Sequence, residues 1–290
     1  MSIPPPFRHL VDDAAIFPPG LAPLPDAVAA HAAHLRSDHA ALVGPFLVDA
    51  ARLDDLGALA PAGLAVSVVV PAPDAVTDVV ARAGAAGLVL AGLEVKLGGA
   101  GAPGAQVAQV AELSAGSGVP THVEVPRVTD PAWPAVLDAV LAHGLRLKFR
   151  TGGTEAAAFP SEAEVGGWIE AAVAHGVPFK CTAGLHHAVR HTGPATGFEH
   201  HGYLNILLAT ARALAGAPVA PVLAERDGPA LARAVALLPP EDLLAARAAF
   251  TSYGSCSILE PLEDLTALHL LHPTDVHPTD VHPTDVRTTD

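Results

Sequence analysis

Four apolar runs in this chain carry ionisable residues at every second position. They are Leu93-Glu94-Val95-Lys96, His122-Val123-Glu124-Val125, Leu145-Arg146-Leu147-Lys148-Phe149-Arg150 and Phe179-Lys180-Cys181-Thr182. Successive side chains of a β-strand point to opposite faces, so each run reads as a strand with one apolar and one ionisable face. Helices would cover the apolar faces, Cys181 among them as an inert core thiol. The ionisable sets Glu94/Lys96, His122/Glu124, Arg146/Lys148/Arg150 and Lys180/Thr182 would then meet in one interior. Burying so many charges is costly unless they are paired or used. A ladder of mutually neutralising charges meets that condition, and so does a reaction centre. The surplus of cations adds an anionic ligand to the second reading.

Two chemistries suit these residues. Lys180 stands at a strand end, with Lys148 one strand earlier as a like charge that would ease loss of its proton and prepare it for imine formation. Glu124 or one of the histidines His186 and His187 would shuttle the proton. Lys180, with Thr182 and Gly184 close behind it, resembles the Schiff-base lysine of class I aldolase-type barrels, which often lies on the sixth strand, and Lys180 falls on the sixth strand counted here. The resemblance covers some six residues. In one aldolase type the second lysine sits on the next strand, whereas Lys148 sits on the previous one. The other chemistry is metal-assisted: His122, Glu124, His186 and His201 would give an N/O-rich site for zinc, manganese or iron. The first reading needs no cofactor.

Arg150 with the Thr151-Gly152-Gly153 turn would hold a carboxylate or phosphate, since backbone N–H groups in such turns form anion nests. Tyr253-Gly-Ser-Cys-Ser, with Ser255, falls where many barrels bind phosphate. Glu94, Lys96, Thr182, His201 and Asn205 would line the substrate site, and the Asp12-Asp13 pair before the stiff Phe17-Pro-Pro-Gly would supply an acid from a rim, with Asp13 the candidate.

What would position these groups is a repeated unit. Val/Leu-rich runs at 44–48, 64–70, 87–96, 120–125, 145–150 and 177–184 alternate with helix-like segments near 73–84, 104–116, 131–143 and 161–175. Asp130-Pro131 and Pro160-Ser161-Glu162 mark helix starts. Such alternation means a parallel sheet, and predicts an α/β fold of the (β/α)8 TIM-like barrel type. An open doubly wound sheet is the alternative, though no Gly-x-Gly-x-x-Gly follows the first run. Two more strands are needed: the last falls in 248–259, and the seventh is expected between 216 and 240, where no clear run exists. Residues 1–23 read as a lid or rim, 24–268 as the barrel domain and 269–290, with three tandem His-Pro-Thr-Asp-Val repeats, as a disordered tail.

The 290 residues are 50% hydrophobic, enough for a large core, and 16 Lys and Arg face 30 Asp and Glu for a net charge of −14. That balance argues against nucleic acid and anionic membrane surfaces as partners. Two cysteines, no export signal at the start and no long uninterrupted apolar stretch point to a cytoplasmic protein, with a homo-oligomer left open. The Arg-Thr-Gly-Gly, Phe-Lys-x-Thr-Ala-Gly-Leu-His-His, His-Gly-x-Leu-Asn and Gly-Ser-Cys-Ser segments together resemble an uncharacterised bacterial protein family, over most of the chain to about residue 268. That resemblance brings no activity with it. The expected function is an aldolase-type lyase on a small anionic carbonyl compound. A metal-dependent hydrolase or isomerase, or a non-catalytic binder of an anionic metabolite, would use the same interior.

Overall fold

The β-branched run Ala-Val-Ser-Val-Val-Val has side chains stiff at χ1 that suit a pleated surface, and it forms a strand in the computed structural model, which describes residues 2–194 and 196–271. The strands are β1 (Val11–Asp13), β2 (Val43–Asp49), β3 (Ala65–Val70), β4 (Val89–Lys96), β5 (Thr121–Glu124), β6 (Arg146–Arg150), β7 (Phe179–Thr182), β8 (His191–Thr192), β9 (Glu199–His200) and β10 (Phe250–Ser255). All except β8 and β9 close into one parallel barrel in the order β1-β10-β7-β6-β5-β4-β3-β2. Closure through pairing of β1 with both β2 and β10 rules out the open doubly wound alternative. β8 and β9 form a separate antiparallel pair, with His191 opposite His200.

Helices α1 (Leu24–His34), α2 (Leu53–Leu59), α3 (Val76–Ala85), α4 (Pro103–Ser114), α5 (Trp133–Ala142) and α6 (Glu162–Ala174) fill successive connections. They are followed by α7 (Tyr203–Leu214), α8 (Ala220–Leu223), α9 (Gly228–Ala236), α10 (Pro240–Ala249) and α11 (Leu259–Ala267). The start of α6 carries a capping box. Ser161 Oγ accepts from Glu164 N while Glu164 Oε2 accepts from Ser161 N, so two otherwise orphaned donors are satisfied.

Two strand assignments differ from the sequence expectation. The interval 216–240 is helical, holding α8 and α9, and the remaining barrel strand is Val11–Asp13, inside the segment read as a lid or rim. Three residues, two of them Asp, give no visible hydrophobic period. Their pairing with β2 and β10 supplies what the local pattern lacks. Lys180 therefore lies on the seventh barrel strand and not the sixth. The His-Pro-Thr-Asp-Val repeats lie outside the described residues. Among the described residues no helix is long and apolar enough to cross a membrane.

The expected division of strand faces holds. Leu147, Phe149, Phe179 and Cys181 are buried against the helix layer. Phe149 stacks on Trp168 of α6 at 5.0 Å between ring centroids and on Phe179 at 4.8 Å. Burial pushes the Cys181 thiol well up, which keeps it neutral.

Candidate active site: a chain of charges along the barrel axis

With the apolar faces spent on helices, the opposite faces meet inside the barrel, in register. Lys96, Glu124, Lys148, Lys180 and Ser252 are successive neighbours across β4, β5, β6, β7 and β10, and Glu94, His122 and Arg146 form a second row. Lys180 Nζ donates to Asp12 Oδ2 and to Glu94 Oε1, both at 2.5 Å. Glu94 Oε2 lies 2.8 Å from Lys148 Nζ, and Glu124 Oε2 lies 3.2 Å from it. These two contacts are ion pairs in distance but are not aligned as hydrogen bonds. Arg150 Nε donates to Glu124 Oε1 at 2.9 Å. The result is an alternating chain, Asp12–Lys180–Glu94–Lys148–Glu124–Arg150. Ser252 and Ser67 each donate a hydroxyl to it, at Asp12 Oδ2 and Glu94 Oε1.

Exposure along this chain is graded. The side chains of Glu94, Lys148 and Lys180 are at most 2% exposed, that of Glu124 is 16% and that of Arg150 is 39% exposed. It therefore runs from a sealed interior to an open end at the C-terminal ends of β5 and β6, where barrels of this kind present their chemistry. Lys96, at the end of β4 and half-buried, belongs to the same rim.

Electrostatics correct the sequence expectation for Lys180. Burial alone would lower its pKa, but Asp12 and Glu94 outweigh burial and raise it above the ordinary lysine value. The neighbour that reaches Lys180 is not Lys148; a carboxylate stands between the two ammonium groups. Burial raises the Glu94 pKa and the two lysines more than reverse it, leaving Glu94 well below the usual carboxylate range. Glu124 is lowered in the same way by Lys148 and Arg150. Asp12 is raised, because its burial outweighs Lys180. Burial, helped by Lys180, Arg146 and Lys148, pushes the His122 imidazole down to about 3.

The sequence pattern points to Asp13 as the acid, and the structure places Asp12 inside instead. Asp13 turns outward, accepting from Ala15 N at 3.1 Å and pairing with His31 Nδ1 of α1 at 2.9 Å. Gly44 makes the room, since a Cβ there would lie 2.2 Å from Asp12 Oδ1. Ser67 and Ser252 are not among the sequence candidates, and Asp12 enters there only beside Asp13, as part of a rim. Ser67 is visible as the lone polar residue in Ala-Val-Ser-Val-Val-Val. Asp12 becomes visible by parity only once residues 11–13 are known to be a strand.

Several other candidates are held in supporting contacts. Thr151 Oγ1 donates to Ala183 O at 2.6 Å and ties the loop after β6 to the loop after β7. Gly152 and Gly184 touch there; a Cβ on Gly152 would lie 2.8 Å from Gly184 Cα, and Gly184 has φ +76°. Gly152→Ala should therefore lower stability by about 1–3 kcal/mol, read as a fall in thermal midpoint. Gly153 packs against the Ala158 methyl. Ser255 Oγ accepts from Ser257 N. Asn205 accepts from Arg190 N and donates to Val222 O and Glu225 O. His201 meets Pro160 O through Nε2 and Arg190 through Nδ1. His186 pairs with Glu260 and lies near Cys256, and His187 pairs with Asp264. The structure does not bring His122, Glu124, His186 and His201 together; among the described residues no three or more His, Cys, Asp or Glu are grouped to hold a metal ion.

The sequence matches no protein-family model and no curated protein. Among solved structures it is similar to the carboxyl transferase domain of Rhizobium etli pyruvate carboxylase with pyruvate and biocytin, at 11% identity and a TM-score of 0.41, covering 84% of this chain and 48% of that one. It is also similar to Rhizobium etli pyruvate carboxylase T882A with the allosteric activator acetyl coenzyme-A, at 12% identity and a TM-score of 0.41, covering 82% of this chain and 27% of that one. The chain thus spans less than half the length of either. What the fold and interior themselves define is a closed (β/α)8-type barrel with a buried chain of ion pairs that opens at its C-terminal mouth.

Proposed function

We propose that this barrel is an enzyme that binds a small anionic carbonyl compound at its mouth and moves a proton on the carbon beside the carbonyl, as a lyase or isomerase does. The observation that carries the reading is the graded exposure of the charge chain, which leaves Arg150 and Glu124 as its accessible end. Arg150, with Lys96 on the far side of Glu124 at the same rim, supplies the cationic clamp, and a guanidinium suits a carboxylate or phosphate through two parallel hydrogen bonds. Glu124 is the proton acceptor. In the resting protein Lys148 and Arg150 depress its basicity. A substrate anion that engages Arg150 takes away one of those two partners and so raises the basicity of Glu124 when substrate is in place. Lys148 holds Glu124 from behind. Lys180 serves as a protonated strut between Asp12 and Glu94, and an imine at Lys180 is not part of this reading.

Solvent exchange tests the proposal without knowledge of the product. In D2O the protein should catalyse deuterium uptake beside the carbonyl of at least one compound in a panel of 2-oxo acids and phosphorylated ketones or aldehydes. Glu124→Gln should abolish uptake, and Arg150→Met should raise the half-saturating concentration ten- to a hundredfold, since a hydrogen bond to a charged group contributes roughly 1.5–3 kcal/mol. Borohydride added with the same panel should leave no adduct. An adduct on Lys180 would restore the imine mechanism in place of this one, and absence of uptake across the panel would remove the proton-transfer reading.

The complete pairing of Glu94 and Lys180 favours a second reading, a binding protein whose charged interior is a scaffold. Under it, Arg150→Met weakens ligand binding while Glu124→Gln changes no reaction rate, because none exists.

A further inference from the structure

The ion-pair chain leaves one interior cation over at the opposite pole. Inside the barrel Arg146 stands on the same face as Lys148 and Arg150, beside His122 in the neighbouring strand. Asp12, Glu94 and Glu124 are all engaged by Lys148, Lys180 and Arg150. The Arg146 guanidinium is half-buried, and among the described residues it has no hydrogen-bond or ion-pair partner. His122 is only 7% exposed, and neither ring nitrogen has a partner. An imidazole this deeply buried with neither nitrogen bonded is a costly arrangement for a protein interior, and the half-buried guanidinium beside it has no protein acceptor among the described residues.

The surroundings match. The helix-to-strand connections 60–64, 86–88, 115–120, 143–145 and 175–178 lead into β3, β4, β5, β6 and β7 at this pole, and none contains Asp or Glu; of the helix-to-strand connections at this pole, 35–42 into β2 carries one, Asp38. Arg247, in the last turn of α10, is taken up by the carbonyl oxygens of Pro6, Arg8 and Phe250. Glu94, the carboxylate in the same row, is already neutralised by two lysines.

We propose that the N-terminal pole of the barrel binds a small inorganic anion, of chloride to phosphate size, between the Arg146 guanidinium and a ring N–H of His122. The site is separate from the mouth: the anion there neutralises the residual interior charge and gives both orphaned donors an acceptor, and it takes no part in the reaction at Arg150 and Glu124.

The test compares thermal unfolding of the full chain in sodium chloride, in sodium phosphate and in a bulky sulfonate salt at equal ionic strength. Wild type should gain roughly 5–10 °C in the better inorganic anion when that anion is at a hundred times its Kd, from mass action on the folded state of a chain this size. Arg146→Met and His122→Leu should lose that gain, Arg146→Lys should keep part of it, and Arg150→Met should keep all of it. A crystal soaked in bromide should show an anomalous peak between Arg146 and His122. Equal anion responses in wild type and Arg146→Met would overturn the proposal, as would bromide at no position near Arg146. The crystal readout needs no variant, so it stands even where a substitution prevents folding.

Discussion

Glu94→Gln is expected to bring the protein close to unfolding at neutral pH, although the substitution removes no bulk. Glu94 is fully buried, and its two oxygens face two different ammonium groups, Lys180 at 2.5 Å and Lys148 at 2.8 Å. Neutralising it leaves two lysines, each about as deeply buried, sharing Asp12 and Glu124 with their other partners. Breaking a buried pair from one side costs roughly 3–5 kcal/mol, against a total stability of about 5–15 kcal/mol for a typical protein. Urea unfolding at pH 7 reads the loss. The double variant Glu94→Gln/Lys148→Met should recover most of it, because Asp12–Lys180 and Glu124–Arg150 are then the charge pairs that remain. The amide oxygen introduced at position 94 can still accept from Ser67 and Lys180. A Glu94→Gln protein within about 1 kcal/mol of wild type would mean that these charges are hydrated and not sealed in.

The second large effect is acid lability set by His122. In the unfolded chain its imidazole takes a proton near pH 6.5, whereas in the fold burial and three surrounding cations hold that event down to about pH 3. Folding thus favours the neutral ring. The stability this contributes is present in full above pH 6.5 and is lost as pH falls from 6.5 toward 3, on the order of 5 kcal/mol over the whole interval. Glu94 and Glu124, with lowered pKa values, add losses that begin only near the unfolded carboxylate value of about 4.5. Between pH 6.5 and 4.5 the losses from Glu94 and Glu124 have not begun, and comparison with a His122 variant singles out this ring. His122→Leu should be stable at neutral pH, since it removes two unpartnered nitrogens. Between pH 6.5 and 4.5 it should lose about 2–3 kcal/mol less than wild type. Denaturant midpoints measured across that window in a chloride-free buffer decide it. Parallel curves for the two proteins would show that His122 is not buried as neutral imidazole.

Strand direction was legible because period-two alternation is local. Leu147 and Phe149 against Arg146, Lys148 and Arg150 could have only one burial pattern once the segment was a strand, and Phe149 duly stacks on Trp168. The gathering of Glu94, Glu124, Lys148, Lys180 and Arg150 followed from that parity alone. Asp12 did not, because a three-residue strand has no period of its own and exists through its neighbours. The state of Lys180 is hidden from the local pattern for the same reason. Which charge stands beside an ammonium group is a matter of distance across the barrel, and Asp12 is 168 residues away in sequence.

The histidines show the other limit. In Leu185-His186-His187 and Glu199-His200-His201 the sequence supplies ring nitrogens without direction, and the fold divides them among Glu260, Asp264, Gly184 and Pro160. By itself the sequence determined which side chains of β4, β5, β6 and β7 share an ionisable face and that burying them demands pairing or use, since strand parity and the cost of burying charge are properties of the residues. Only the tertiary structure decided which charge meets which, which end opens to solvent, and that Arg146 has no partner among the described residues, because each of those depends on closing β1 against β10 and on distances that no local pattern encodes.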